Sequence, residues 1–320
     1  MSGVALITGI SGQDGSYLAE SLLADGWEVH GTIRNASLGC AEHLAGELQL
    51  HDGDLLEPGF ARAALERSRA QQVYHLASPT FVADSWRDPR GTLAAVAGVT
   101  AELLEAVRAV DPATRVLVAC SREIFGDAAV SPQSEDTACV PSSPYGVAKL
   151  AAHRLVGVTR ARYELHASSA ILFNHESPRR SSQFVTRKIT RAAAAISLGL
   201  EHELVLGDLD AVRDWSAALD VVGGLRLMLD APAGGDYVLA SGVAHTVGDW
   251  VRAAFERAGV EVEGHVRVDQ DLVRPREHAD PVGDPARARE QLGWRAETSF
   301  AELVAEMVDA DLEELERRGL

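Results

Sequence analysis

The sequence predicts an α/β protein: a Rossmann-type doubly wound parallel sheet with a smaller C-terminal substrate-binding lobe. Three observations carry that expectation. Apolar, strand-like runs alternate with helical stretches as far as Phe173, the pattern of βαβ units with helices on both faces of a parallel sheet. A glycine-rich turn, TGISGQDG at residues 8–15, follows the first strand and opens the first helix. Beyond Phe173 the rhythm loosens, and helices are separated by short extended pieces.

Residues 4–8 read as the first strand, and 13–25 as a helix with Tyr17, Leu18, Leu22 and Leu23 on one face. Further strands are expected at 27–33, 48–51, 72–76, 116–120 and 167–173, and helices at 58–69, 92–110 and 145–163. Later helices are expected at 184–198, 216–229, 247–258 and 300–315. Residues 1–173 would form the dinucleotide-binding domain with the catalytic residues. Residues 174–320 would form mainly the substrate lobe, some segments returning to the sheet. The cleft would lie between them.

A chain of 320 residues can bury a large core. Its formal charge of −17 argues against nucleic acid and anionic membrane surfaces as partners, so an anionic substrate needs a locally basic pocket. Cys40, Cys120 and Cys139 show neither Cys-x-x-Cys nor metal-ligand spacing. The expectation is a reduced, cytoplasmic protein without a metal site, with Cys120 a buried, inert thiol. MSGVALITG runs directly into a strand, with no basic segment and long apolar run to suggest a signal peptide or membrane span.

The chemistry concentrates in SREIFG (121–126) and SPYGVAKL (143–150). They supply a hydroxyl, a carboxylate, a phenol and an ammonium: Ser121, Glu123, Tyr145 and Lys149. Tyr-x-x-x-Lys puts phenol and ammonium on one helical face. A lysine held there is expected to lower the phenol's pKa towards neutrality. A simple dehydrogenase needs no carboxylate. Glu123 therefore points to a second proton transfer, and to a bond made or broken besides the hydride step.

Gly9, Gly12 and Gly15 permit a tight turn and close backbone approach, with a helix N-terminus facing a pyrophosphate. A purely structural turn has the same look. At the end of the second strand, VHGTIRNAS offers Arg34 in place of the acid that usually binds an adenosine 2′-hydroxyl. This favours NADP over NAD, against the alternative of a solvated surface arginine. Asp54, in DGDL after the third strand, could reach the adenine amino group or simply form a turn.

These motifs, in this order, resemble the extended short-chain dehydrogenase/reductase superfamily. ALITGISGQDGSYLAESLL, FNHESPRR, FVTRKITRA, LGDLDAVRDW and RPREHADPVGDPARAREQLGW resemble the GDP-mannose 4,6-dehydratase family within it, along nearly the whole chain. The resemblance implies cofactor contacts at Gly9, Ser11, Gly12, Gln13, Asp14, Arg34, Asp54, Leu55, Leu76, Ala77, Ser78, Thr80, Lys149, His175 and Arg180. Arg34 and Arg180 are both candidates for the 2′-phosphate or the pyrophosphate, because a guanidinium fork matches phosphate oxygens. It implies nucleotide-sugar contacts at Thr80, Ser85, Asn174, Lys188, Arg213, Arg274 and Glu277, with three cations converging on a diphosphate. GDP-mannose is the substrate implied, and NADP the cofactor.

The chain departs from the family at three places. Ser121-Arg122-Glu123 replaces Thr-Ser-Glu. Arg122 pointing inward would favour ionised Glu123; strand alternation would instead turn it away from both neighbours. HLASPTFVADSW introduces Pro79 and Phe81 for two polar residues. The 34–54 segment is short, and Asn35 replaces a second arginine, which puts the family-type tetramer in doubt and leaves a homodimer through the two long sheet-domain helices. Competing readings are a uronate decarboxylase, a 4-epimerase and a non-catalytic NADP-binding protein. Glu123 argues against the epimerase and NHESPRR against the decarboxylase. The retained Tyr145 and Lys149 argue against the last.

Overall fold

The computed structural model describes residues 3–272 and 279–317. The first half runs β1 (Val4–Thr8), α1 (Gln13–Ala24), β2 (Glu28–Ile33), β3 (Gln49–Asp52), α2 (Phe60–Ser68), β4 (Gln72–His75) and α3 (Pro89–Leu93). A π-helical turn at Ala94–Gly98 leads into α4 (Val99–Val110), followed by β5 (Arg115–Ala119), α5 (Pro144–Tyr163) and β6 (Ala167–Leu172). The second half contains β7 (Asn174–Glu176), α6 (Val185–Ser197), β8 (Leu204–Leu206), β9 (Val212–Ala217), α7 (Ala218–Asp230) and β10 (Asp236–Leu239). It ends with β11 (Ala244–Thr246), α8 (Val247–Ala258), β12 (Val266–Val268), α9 (Ala286–Leu292) and α10 (Phe300–Arg317).

Seven parallel strands form one sheet in the order β10-β6-β5-β4-β1-β2-β3. Strand order reverses between β1 and β4, which opens a crevice at the carboxyl ends of the strands where ligands of such sheets bind. Leu18 and Leu22 of α1 pack with Val221 and Leu225 of α7 on one face. Ala64 of α2, Leu103 of α4 and Val156 of α5 cover the other. The seventh strand, β10, is a segment of the second half that returns to the sheet, as expected of some of them; only four residues long, it pairs with β6.

The remaining elements build a second core above the crevice. Trp215 on β9 meets Trp250 on α8 with ring centroids 5.0 Å apart, and Phe300 at the start of α10 packs edge-on to Trp250 at 5.3 Å. The helix expected from residue 216 begins at Ala218, because Ser216 and Ala217 complete β9 opposite His175 and Glu176 of β7. No described helix is long and apolar enough to cross a membrane.

Two of the singled-out segments have structural roles visible here. The short connection after β2 folds back on its own glycine turn: Cys40 N–H donates to the Ser11 carbonyl at 2.9 Å, and Ala41 and Leu44 are buried. In FVTRKITRA, Arg187 turns away from the crevice to pair with fully buried Asp311 of α10 at 2.9 Å, while the Thr190 hydroxyl donates to the same carboxylate at 2.7 Å. Breaking a buried pair strands the remaining charge. Arg187→Met should therefore cost roughly 3–5 kcal/mol of folding stability, checked by urea unfolding against the wild type.

Candidate active site

Gly9 has φ +77°, and a Cβ there would stand 2.7 Å from the Ala77 nitrogen. A Cβ on Gly15 would meet the Gly9 carbonyl oxygen at 2.3 Å. Both positions exclude side chains, so the turn closes tightly and α1 starts immediately beneath it, with the Gly12 N–H donating to the Gly9 carbonyl at 3.0 Å. On the other side of the switch point the chain leaves β4 through Leu76 and Ala77, whose N–H donates to the Thr8 hydroxyl at 3.3 Å.

A cavity of about 890 Å³ opens at the strand ends, inside the range of small-ligand pockets. Ser121, Glu123, Tyr145 and Lys149 all line it. Ser143 caps α5 by accepting from the Gly146 N–H at 3.0 Å, and Pro144 occupies the first turn. That start sets Tyr145 and Lys149 on the buried side of the helix.

Lys149 donates to the Ala119 carbonyl at 2.8 Å, and its Nζ lies 5.7 Å from the centroid of the Tyr145 ring. Burial pulls its ammonium down to about 8. Burial also pushes the Tyr145 phenol above its ordinary value, with Cys120 and Glu123 adding to the rise and the Ser121 hydroxyl and Arg180 opposing it. The expectation that Lys149 would lower the phenol is not met: the carbonyl of Ala119 engages the ammonium, and desolvation dominates both groups. Cys120 is buried, its thiol pushed up to about 11 by that burial.

The segment after β5 corrects another expectation. Residues Arg122–Ile124 form a 3₁₀ turn capped by Ser121, whose Oγ accepts from the Glu123 N–H at 3.3 Å. Strand alternation therefore does not apply. Arg122 is buried, lines the cavity, and donates from Nη2 to Glu123 Oε1 at 2.5 Å.

NHESPRR joins the two halves. His175 Nε2 donates to Asp14 Oδ2 at 2.8 Å while Nδ1 donates to the Phe173 carbonyl at 2.8 Å. Burial opposes charge on both partners, yet their mutual attraction and hydrogen bond prevail, raising His175 and lowering Asp14. Alongside, Ser177 donates to Gln13 Oε1 at 2.8 Å, and Gln13 Nε2 donates to the His175 carbonyl at 3.2 Å. The two arginines of the doublet diverge. Arg179, which sequence reasoning passed over, lies over the Tyr17 ring at 3.8 Å and pairs with Glu20 of α1. Arg180 enters the cavity, 3.5 Å over the Phe184 ring and 3.0 Å from Glu176. The doublet itself was the available signal, since adjacent side chains must part.

Of the other expected site residues, Asp14, Leu76, Ser78, Thr80, Asn174, His175, Arg180, Lys188 and Arg213 line the cavity. Gly9, Ser11, Gly12 and Gln13 form the adjoining turn, with Ala77 held beside it. Arg34 is exposed beyond the end of β2, pairs with Asp54 at 3.6 Å, and does not line the cavity that Arg180 enters. Leu55 packs against the core beneath the sheet. Ser85 is a correction: it is buried, it does not line the cavity, and its hydroxyl is used by the Val82 carbonyl at 2.6 Å. The local 3₁₀ turn at Val82–Trp86 draws it inward. Arg274 and Glu277 lie outside the described residues. Phe81, not proposed as a contact, lines the cavity edge-on to Phe184 with centroids 6.1 Å apart.

A parallel sheet that gathers phenol, ammonium, hydroxyl and carboxylate at its switch point is that of an extended short-chain dehydrogenase/reductase, in the epimerase/dehydratase branch. The family model described as GDP-mannose 4,6 dehydratase matches residues 6–307. GDP-mannose 4,6 dehydratase 1 of Arabidopsis thaliana is 42% identical over 97% of this chain and 90% of that protein. The GDP-mannose 4,6-dehydratase of Sinorhizobium fredii (strain HH103) is 42% identical over 97% of this chain and 96% of its own length. Among solved structures, RMD from Pseudomonas aeruginosa complexed with NADPH superposes with a TM-score of 0.82 at 26% identity, covering 98% of this chain and 100% of that one. The chain belongs to the GDP-mannose 4,6-dehydratase family.

The Asp14–His175 pair makes stability pH-dependent with a definite sign. Raised His175 contributes below its ordinary 6.5, and that contribution is lost as pH rises through its folded value. Lowered Asp14 contributes above 3.8 and loses its share as pH falls through its folded value. Asp14→Asn should therefore cost most between those two values, roughly 3 kcal/mol, and progressively less above them. Chemical denaturation of both proteins across pH checks this; a difference independent of pH would contradict it.

Proposed function

We propose that the protein converts GDP-mannose to GDP-4-keto-6-deoxymannose in the cytoplasm, by intramolecular hydride transfer through one bound NADP. The observation that carries this reading is Glu123 in the same cavity as Tyr145, Ser121 and Lys149. Oxidation alone needs the last three; loss of water needs the carboxylate.

The residues fit a dinucleotide. The side-chain-free turn at Gly9 and the N-terminus of α1 leave room and N–H dipoles for a pyrophosphate. Arg34, exposed beyond the end of β2, is the proposed partner of an adenosine 2′-phosphate. The chemistry supplied by a bound nicotinamide is hydride acceptance from carbon 4 and its return to carbon 6.

Tyr145 removes the proton of the carbon-4 hydroxyl, and Ser121 hydrogen-bonds the same oxygen. Lys149, largely protonated below its value of about 8, holds the nicotinamide ribose. The ketone at carbon 4 acidifies the carbon-5 proton, which Glu123 takes. Glu123 then returns a proton to the oxygen leaving carbon 6 as water. Lys188 and Arg213, both in the cavity wall, answer the diphosphate. Asn174 and Thr80 are the proposed polar contacts of the nucleotide sugar, with Arg274 and Glu277 as further candidates.

Incubation with a panel of nucleotide sugars, read by product mass, should show loss of one water from GDP-mannose. Loss of carbon dioxide or an unchanged mass with inverted stereochemistry would replace this reading with a decarboxylase or an epimerase. Glu123→Gln should lower turnover at least roughly 100-fold while reduced nicotinamide still forms on the enzyme. Full turnover in that variant would remove the carboxylate's role.

A homodimer is the proposed assembly. Val147 and Val158 lie about three turns apart on one stripe of α5, exposed at 49% and 60%, beside exposed Leu93 of α3. Unpartnered apolar stripes of this kind mark interaction surfaces. Val158→Glu should shift the sedimentation coefficient from dimer towards monomer; a wild type sedimenting as a monomer would refute the assignment.

A further inference from the structure

Arg122 is the charged residue of the catalytic turn that neither the hydride step nor the water loss yet uses. It is 5% exposed, it lines the cavity, and its guanidinium meets Glu123 Oε1 at 2.5 Å from the adjacent position of the same 3₁₀ turn. Among the described residues no hydrogen bond or ion pair is made by Glu123 Oε2. The two carboxylate oxygens are therefore unlike: one is tied to a cation and the other is available to a substrate. A charge-assisted hydrogen bond of this length fixes orientation as well as charge.

We propose that Arg122 is a positioning residue which anchors Glu123 through Oε1 and sets the balance of the elimination carried by Oε2. The inference rests on the dehydratase reading above. In the elimination, the carbon-5 proton passes to Oε2 and the C–H electron pair enters the enolate of the carbon-4 ketone. That pair then forms the carbon 5–carbon 6 double bond as the carbon 6–oxygen bond breaks. The departing oxygen takes the proton from Oε2 and leaves as water. Hydride reaches carbon 6, and a proton equivalent to the one Tyr145 removed returns to carbon 5, so protons and electrons balance.

Held through Oε1 by the guanidinium, the carboxylate presents Oε2 at one fixed place, so the proton taken from carbon 5 reaches the carbon-6 oxygen without reorientation of the side chain. Departure of water is thereby quick relative to return of the proton. Each proton lost from carbon 5 is followed by elimination rather than by return. Without the guanidinium the carboxyl loses its fixed orientation: return to carbon 5 and exchange with solvent compete, and water loss becomes slow.

The test compares wild type, Arg122→Met and Arg122→Lys using GDP-mannose with hydrogen or deuterium at carbon 5. Wild type should show a primary isotope effect on kcat, and substrate recovered from partial turnover in heavy water should carry no deuterium at carbon 5. Arg122→Met should lower kcat roughly 10- to 100-fold with KM changed less than about threefold. It should also lose most of the isotope effect and wash deuterium into recovered GDP-mannose. Arg122→Lys should restore the isotope effect and part of the rate, which a packing defect would not allow. Reduced nicotinamide formed on the Met variant reports that the site is folded.

A Met variant that keeps the wild-type isotope effect and shows no wash-in overturns the proposal, as does a rate loss that lysine fails to rescue. In either case water loss by the wild type leaves the dehydratase reading standing. Absence of water loss in the wild type sinks both.

Discussion

The hydrogen-bonded charge pair between Asp14 and His175 is where the two halves of the chain meet, and both halves are shaped to keep it. Asp14 follows a turn so tight that Gly9 and Gly15 exclude side chains, which fixes its carboxylate over the ends of the strands. His175 sits on β7, held by its second nitrogen to the Phe173 carbonyl, so both ring nitrogens donate and the imidazolium form is favoured. Because β7 also pairs with β9, the position of His175 is transmitted to Trp215 and to the whole second core. One bond thus ties the cofactor turn, the cavity wall and the substrate lobe into a single geometry.

The distribution of cations follows from helix geometry rather than from net charge. On α6, Arg187 and Lys188 are consecutive and therefore about 100° apart around the axis. Arg187 goes to Asp311 and stabilises the second core; Lys188 goes to the cavity, where it donates to the Val205 carbonyl at 2.6 Å. Arg179 and Arg180 divide in the same way between α1 and the cavity. An acidic chain, with a formal charge of −17, can therefore still bring Arg122, Lys149, Arg180, Lys188 and Arg213 into one cavity, where they face the acids Asp14, Glu123, Glu176, Asp208, Asp210 and Asp280.

What was legible in the sequence was whatever depends on local pattern. The first six strands and most helices were readable because their apolar runs are continuous and their glycines mark real turns. Ser121, Glu123, Tyr145 and Lys149 were readable because a strand end and a helix start bring them together over a short stretch of chain. Short elements were not. β10 has four residues and is defined by its partner β6, a pairing that no local window contains. Ser216 looks helical beside Ala217 and Ala218, yet its hydrogen-bonding partner on β7 makes it strand. Ser85 failed for a related reason: the 3₁₀ turn at Val82–Trp86, five residues long, rotates its hydroxyl into the backbone of Val82.

The same turn geometry explains why Arg122 could not be assigned a direction beforehand. Alternation holds only while the chain stays extended, and β5 ends at Ala119. Past that point the chain must bend to deliver Glu123 towards the Tyr145 phenol, and a 3₁₀ turn does so within three residues. The bend carries position 122 inward as well. A small residue there would leave the glutamate to the cavity, whereas arginine brings a permanent cation against it. Around the Tyr145 phenol, Glu123 thus adds to the rise that burial imposes, while the Ser121 hydroxyl and Arg180 oppose it.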